Sequence, residues 1–298
     1  MSSAFDEVAV NKWKSYLLMF LFSLIVISLG YVFGRIYGRG NSGVIISFMI
    51  IAFFLSIIIA LFSYYTGDKT ALSLSNAKIA HKKDYAHLIN SVEGLAIAAG
   101  IPMPKVYVFP DQSINAFACG RNPENASIAV SKGALDKLNR TELEGVIAHE
   151  MSHIKNYDIR LMTIVVILVG LIVLLSDIFL RSMFFRSDDD NGGSGNAIFF
   201  VIGIVLAILA PIFAQLIQLA VSRRREYVAD ANGALLSRHP QGLADALKKI
   251  KKDQMETKNA SKATAHMYFS SPFRAGFWNN LFSTHPPIDE RIRKLEGM

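Results

Sequence analysis

The sequence predicts an α+β protein in which four membrane-spanning helices carry a mainly helical soluble body with a small β-sheet. Three observations lead there. Hydrophobic residues are 52% and charged residues 18% of the 298 positions, whereas soluble domains run at about a quarter charged; mean hydropathy is +0.33. The apolar excess is gathered into four runs, each reaching the roughly 20 residues that cross about 30 Å of hydrocarbon as a helix. Between and after these runs lie polar stretches with the periodicities of helices and short strands. The same figures exclude other classes. A single cysteine, Cys119, rules out a disulfide-stapled secreted fold and a cysteine-rich zinc module.

The first run covers 15–33 and the second 44–65. The third covers 161–180 with Asp177 near its end, and the fourth 197–221 with Pro211, Gln215 and Gln218. The first is too long for a signal-peptide core and has no small-residue cleavage site behind it, so it is read as retained. Orientation follows the basic residues near the span ends. Lys12 and Lys14 precede the first span, and Arg223, Arg224 and Arg225 follow the fourth. The connector between spans three and four sets Arg181 and Arg186 against Asp188, Asp189 and Asp190. Four spans place both termini on one side, and the basic flanks make that side cytoplasmic. The chain is accordingly divided into spans one and two (1–65), a cytoplasmic part (66–160), spans three and four (161–221) and a cytoplasmic helical part (222–298).

Within the soluble body, 76–99 carries a helical apolar stripe, with Gly100 placed for a left-handed C-terminal cap. Strands are expected at 105–109, 114–118 and 127–130. Thr141 and Glu144 form a capping-box pattern opening a helix that is expected to run through Asp158. The tail reads as helices over about 225–237, 242–252 and 288–295.

The pentad from His149 to His153 contains the strongest chemical signal: His149, Glu150 and His153 in the spacing H-E-x-x-H. Residues four apart on a helix share nearly one face, so both imidazoles can reach one zinc ion, with Glu150 beside the metal to take a proton. Chance produces this pattern in roughly 0.5% of shuffled chains of this composition. A catalytic zinc needs a third protein ligand, and the candidates past the helix are Asp158, Glu226, Asp230, His239, His266 and His285. Asp158, five residues beyond His153, falls about 140° round a continuous helix and is expected to point away. Glu226 and Asp230 form a second four-residue pair directly behind the fourth span. They offer one ligand and one carboxylate to hold an imidazole's other N–H.

At these residues the chain resembles the HtpX family of membrane zinc peptidases, related to the CAAX prenyl proteases and more distantly to thermolysin-like gluzincins. The matching stretches are Gly100, Pro102 and Pro104 before the strand; Asn115, Ala116 and Phe117; His149 to His153 with Asn156 and Asp158; Arg225 to Asp230; and Ser283 to Pro287. The resemblance implies a gluzincin-like domain with one zinc ion per chain, held by His149, His153 and Glu226. Glu150 is then the general base and Asp230 the partner that orients a ligand. The stretch Asn115 to Phe117 is implied to be an edge strand along which an extended substrate backbone lies, by strand addition. The implied reaction is metal-assisted hydrolysis of polypeptides, with Glu150 moving the water's proton to the leaving amine. His285 is the candidate oxyanion donor, with Tyr268 and His266 behind it. The implied role is quality control of misfolded membrane proteins at a bacterial-type inner membrane. A non-hydrolytic zinc-containing membrane scaffold is the alternative, which the intact Glu150 disfavours.

Other signals carry less. Gly38, Gly40 and Gly43 match a dinucleotide fingerprint by letter but lie between two apolar runs without a preceding strand. The net charge of +7 is assigned to anionic lipid headgroups and not to nucleic acid. His81 and His87 are expected to be solvated, and Cys119 to be a packed residue and not a nucleophile.

Overall fold

The computed structural model of the chain describes residues 4–184, 223–253, 264–270 and 286–298. Its first two helices, α1 (Ala4–Gly38) and α2 (Ser42–Leu74), form a hairpin. Arg39 and Gly40 turn the chain at φ +45° and +89°, and the Asn41 side chain caps α2 by accepting the Gly43 N–H at 2.9 Å. This turn is the place of the glycine pattern discounted above. The hairpin contains two stretches long and apolar enough to cross a membrane, Val8–Arg35 and Ser42–Leu74. Ile50, Ile51, Phe54, Ile58 and Phe62 stand exposed along α2, as expected of an outer face that meets lipid.

The sheet has four strands, β1 (Lys78–Ile79), β2 (Lys105–Phe109), β3 (Ala116–Gly120) and β4 (Ala126–Ser131), in the order β1-β2-β4-β3. Strands β2 and β4 run parallel, and the β1–β2 and β3–β4 pairs are antiparallel, which leaves β3 at an edge. Around it lie α3 (Ala86–Ala99), α4 (Lys132–Lys137), α5 (Arg140–Lys155), α6 (Asp158–Phe184), α7 (Arg223–Ser237), α8 (Pro240–Lys252) and α9 (Ile288–Glu296). Gly100 closes α3 at φ +68° as the sequence led one to expect.

Both faces of the sheet are covered, so its strands read as apolar runs and not as alternating ones. Ala116, Ala118, Ile128 and Val130 face one core with Leu88, Val92, Ile147, Met151 and Leu243 from the surrounding helices. Phe117, Cys119 and Ala129 face the other, where α1, α2 and α6 bring Leu18, Phe22, Leu72, Ile164 and Val165. Each fully buried side chain of this size contributes about 1.5–3 kcal/mol. Helix α5, which carries His149, Glu150 and His153, therefore lies above the sheet and the apolar hairpin below it.

Several expected boundaries move. The helix expected over 76–99 is shorter, because α2 extends to Leu74, Asn76 turns at φ +52° and residues 78–79 pair with β2 instead. The edge strand is displaced to Ala116–Gly120, because the Asn115 N–H is taken by Ser131 Oγ at 3.0 Å and the Ile114 N–H by Asp253 at 3.1 Å. The capping box of α5 is Asn139 with Glu142, two residues earlier than expected; Glu144 is engaged by Arg140 and Ser91. The helix expected to run through Asp158 stops at Lys155, with Tyr157 at φ +62° starting a new axis. The third apolar run lies in α6, whose first half is buried in the body, Ile159 and Ile164 included. The fourth, 197–221, lies outside the described residues.

Candidate metal centre

Helix α5 is buried nearly all round from Glu142 to Ile154, so its two histidines cannot be a solvated polar face. His149 and His153 direct their Nε2 atoms at each other across 3.1 Å. Each Nδ1 sits 3.0 Å from a carboxylate, His149 on Asp230 and His153 on Asp158. A carboxylate accepts, so it draws the imidazole proton to Nδ1 and leaves both Nε2 lone pairs converging. Glu226 joins them, with Oε1 3.5 Å from His153 Nε2 and Oε2 3.8 Å from His149 Nε2. The three ligand atoms lie within 4.8 Å of one another, and all three residues are buried. With both rings neutral, three acceptors aimed at one point in a dry interior repel unless a cation, a proton on His153 or a metal ion, stands between them. Two nitrogens on one tetrahedral zinc would be about 3.3 Å apart, so the donor set fits such an ion.

The residues that bring these groups together come from five elements. Helix α7 carries Glu226 and Asp230 one turn apart, on the face that meets α5. Gly233 permits that approach: a Cβ there would lie 2.9 Å from the His149 backbone nitrogen. From α9, Arg291 donates to both Asp230 oxygens, at 2.8 and 2.7 Å, and stands 3.6 Å from Glu226. Asp158, the first residue of α6, also takes the Asn11 amide of α1 at 2.7 Å and lies 3.4 Å from Arg225.

Burial and charge set the protonation of the metal-free site. Burial pulls the His149 pKa down to about 4, keeping it neutral. Burial also pulls on His153, but the Asp158 hydrogen bond and the Glu226 charge overcome it and push it up to about 9. Burial raises Asp230 as well, yet the Arg291 guanidinium holds its carboxyl below the ordinary range. Glu150 lies on the same helix, beside the Ala118 backbone of β3. Burial pushes its pKa up to about 7, so the carboxyl can both take and return a proton near neutrality.

The family model of peptidase family M48 matches residues 82–298, which take in β2 to β4, α5, α7 and α9. The chain belongs to peptidase family M48. Its M48 relatives extend over the whole length. A protease HtpX homolog of Caldanaerobacter subterraneus is 48% identical over 302 residues, covering 99% of this chain and 97% of its own. Those of Dictyoglomus thermophilum, at 43% with 99% and 94% coverage, and of Tropheryma whipplei, at 44% with 99% and 98%, are similar. Among solved structures, the crystal structure of S. mikatae Ste24p matches with a TM-score of 0.51 at 18% identity, covering 97% of this chain and 66% of that one. That likeness concerns the fold. Membership of M48 makes the chain a metal-dependent peptidase, and the HtpX relatives with the two apolar helices make it a membrane metallopeptidase.

The M48 chain brings together His149, His153, Glu226 and Asp230, all singled out from sequence. It corrects one reading. Asp158 does not point away: the left-handed turn at Tyr157 ends α5 and swings Asp158 back under His153. Tyr268 is not aimed at the histidine pair, because its hydroxyl meets Ser75 Oγ at 3.1 Å. His266 Nε2 meets the Met162 carbonyl at 3.0 Å. His239 is an exposed residue at the start of α8, His81 and His87 are exposed, and His285 lies outside the described residues. Cys119 is packed, and burial pushes its thiol well above the usual range. Two participants were missed, Asn11 and Arg291. Arg291 did leave a signal, a cation inside the apolar stripe Ile288, Ile292 and Leu295 of α9.

Proposed function

We propose that the chain is a zinc-dependent endopeptidase working on the cytoplasmic side of a bacterial-type inner membrane, with four spans and both termini cytoplasmic. Its polypeptide substrates would be misfolded or surplus membrane proteins. One zinc ion per chain would be held by His149, His153 and Glu226, with Glu150 as the catalytic base. The observation that supports this most is the pair of Nε2 atoms facing each other and Glu226 while both Nδ1 atoms are held by carboxylates. When bound, zinc activates a water and polarises the scissile carbonyl.

The chain's own residues do the rest. Asp230 and Asp158 fix the imidazole rings, and Arg291 neutralises the buried charge of Asp230 and Glu226. Glu150, buried next to His149 on α5, takes the proton of the attacking water and delivers it to the departing amine. Strand β3 lies beside Glu150 at the edge of the sheet, and a substrate main chain that gained this edge would pair with it as an added strand. A zinc-containing scaffold would need the ligands but no further carboxylate buried beside them, and Glu150 is one, so the peptidase reading is favoured.

The test is Glu150→Gln in the purified, detergent-solubilised full chain. It should keep about one zinc per chain while cleavage falls by about 10²–10⁴. Cleavage at the wild-type rate by this variant would remove Glu150 from the base role, and loss of zinc would make it a ligand.

A further inference from the structure

The outer edge of β3 is already taken. Successive residues of an antiparallel edge strand alternate between pairing inward and facing outward, and here Ala116, Ala118 and Gly120 face outward. The Ala118 backbone lies beside Glu150, and the Gly120 N–H donates to Thr163 Oγ1 at 3.0 Å. At Ala116 the partner is another stretch of the same chain. The Phe269 N–H donates to the Ala116 carbonyl at 2.8 Å. The Ser270 N–H donates to Asn115 Oδ1 at 3.2 Å, and Asn115 Nδ2 returns a bond to the Ser270 carbonyl at 3.2 Å.

Residues 268–270 thus lie along the strand edge, joined to it by one main-chain hydrogen bond two positions from Ala118, which lies beside Glu150. Their side chains alternate as those of a strand do. Tyr268 turns to one side, between Phe109 and Phe117 with ring centroids 5.9 and 5.3 Å away. Phe269 turns to the other, its ring edge-on to His149 at 4.8 Å and under the Arg291 guanidinium at 4.9 Å. Phe269 is 2% exposed. An extended peptide hydrogen-bonded to Ala116 would place a side chain against His149 in just this way.

We propose that residues 268–270 occupy the place of the substrate, with Phe269 filling the side-chain pocket beside the metal ligands. A polypeptide then binds by displacing this strap and putting a large apolar residue where Phe269 lies. The proposal rests on the peptidase reading above and names its substrate class: extended chain with an aromatic or long aliphatic residue at that position. It also makes the resting enzyme self-occluded, so that only the fraction with the strap withdrawn binds substrate.

The experiment uses the zinc-loaded full chain in detergent and internally quenched peptides that differ only in one central residue, Phe, Leu, Ala or Asp. Phe269→Ala removes the buried ring, and Tyr268→Ala loosens the strap without touching the pocket by the metal. Both variants, at wild-type zinc content, should raise kcat/KM by about 5- to 100-fold, the upper limit set by the lost ring burial. Wild type should prefer Phe and Leu over Asp by at least about tenfold. As a second readout, amide hydrogen exchange across 264–270 should speed up about tenfold or more when a zinc-binding peptide hydroxamate with a Phe side chain is added.

Unchanged or lower kcat/KM in both variants, an acidic preference, or exchange indifferent to the hydroxamate would each overturn the proposal. In those cases Glu150-dependent cleavage by wild type would leave the peptidase reading standing. Absence of any Glu150-dependent cleavage would take both down.

Discussion

Adding one methyl group at Gly233 should loosen the metal site from a distance. Gly233 lies seven residues beyond Glu226, two helical turns and about 10 Å along α7 on the same face. A Cβ there would stand 2.9 Å from His149 N and 3.1 Å from His149 Cα, both backbone atoms that cannot rotate aside. Ordinary contact begins at 3.4 Å, so α7 must retreat from α5 by about 0.5 Å to reach it. Zinc ligands tolerate only about ±0.2 Å, and Glu226 rides on the displaced helix while His149 and His153 ride on the fixed one. Overpacking costs about 1–3 kcal/mol, and alanine's better helix propensity returns about 1 kcal/mol. Global stability should therefore change little, whereas the zinc Kd should rise about 10- to 100-fold. Competition against a chromophoric chelator measures the second quantity, and thermal unfolding by circular dichroism the first. A Kd within twofold of wild type would refute the argument that close approach of α5 and α7 sets the ligand geometry.

The other expectations concern the groups around the ligands. Arg291→Leu leaves Asp230 and Glu226 buried without their cation, a loss of about 3–5 kcal/mol; unfolding of the metal-free chain should show it, with partial recovery on adding zinc. Asn11→Ala removes the amide that reaches Asp158 at 2.7 Å and the Asn156 carbonyl at 2.8 Å. Each bond to a charged group is worth about 1.5–3 kcal/mol, so zinc should bind roughly tenfold more weakly, and unchanged affinity would show that α1 does not position His153. His153 has an ordinary value of 6.5 and is raised to about 9 in the metal-free fold. Its contribution to stability is fully present below pH 6.5 and fades as pH rises through 9. Zinc must displace that proton, so calorimetry at pH 7 in buffers of differing ionisation enthalpy should find about one proton released per zinc.

What could be read from the sequence was whatever local periodicity encodes. The four-residue spacings of His149 with His153 and of Glu226 with Asp230 need only a helix to become geometry, and α5 and α7 supplied it. The strands expected at 105–109 and 127–130 stood out because both sheet faces are apolar, and the second extends one residue further at each end. What escaped depends on where the chain turns. Asp158 was misplaced because one residue in a left-handed conformation, Tyr157, breaks the helix that its angle was counted on. Asn11 is 145 residues from the carbonyl it meets, and nothing near it in sequence hints at that partner. The strap at 268–270 has too few residues for a pattern; its meaning comes from the strand it pairs with.

The hairpin of α1 and α2 does more than present two stretches long and apolar enough to cross a membrane. It supplies the floor under the sheet, through Leu18, Phe22 and Leu72 against Phe117 and Phe109, and a hydrogen-bond donor to the carboxylate that steadies His153. A recombinant fragment beginning after residue 75 would lose that floor and that donor at once. Such a shortened reagent would be sticky and a poor metal binder, and inactivity measured on it would report the missing foundation and not the chemistry of the intact enzyme.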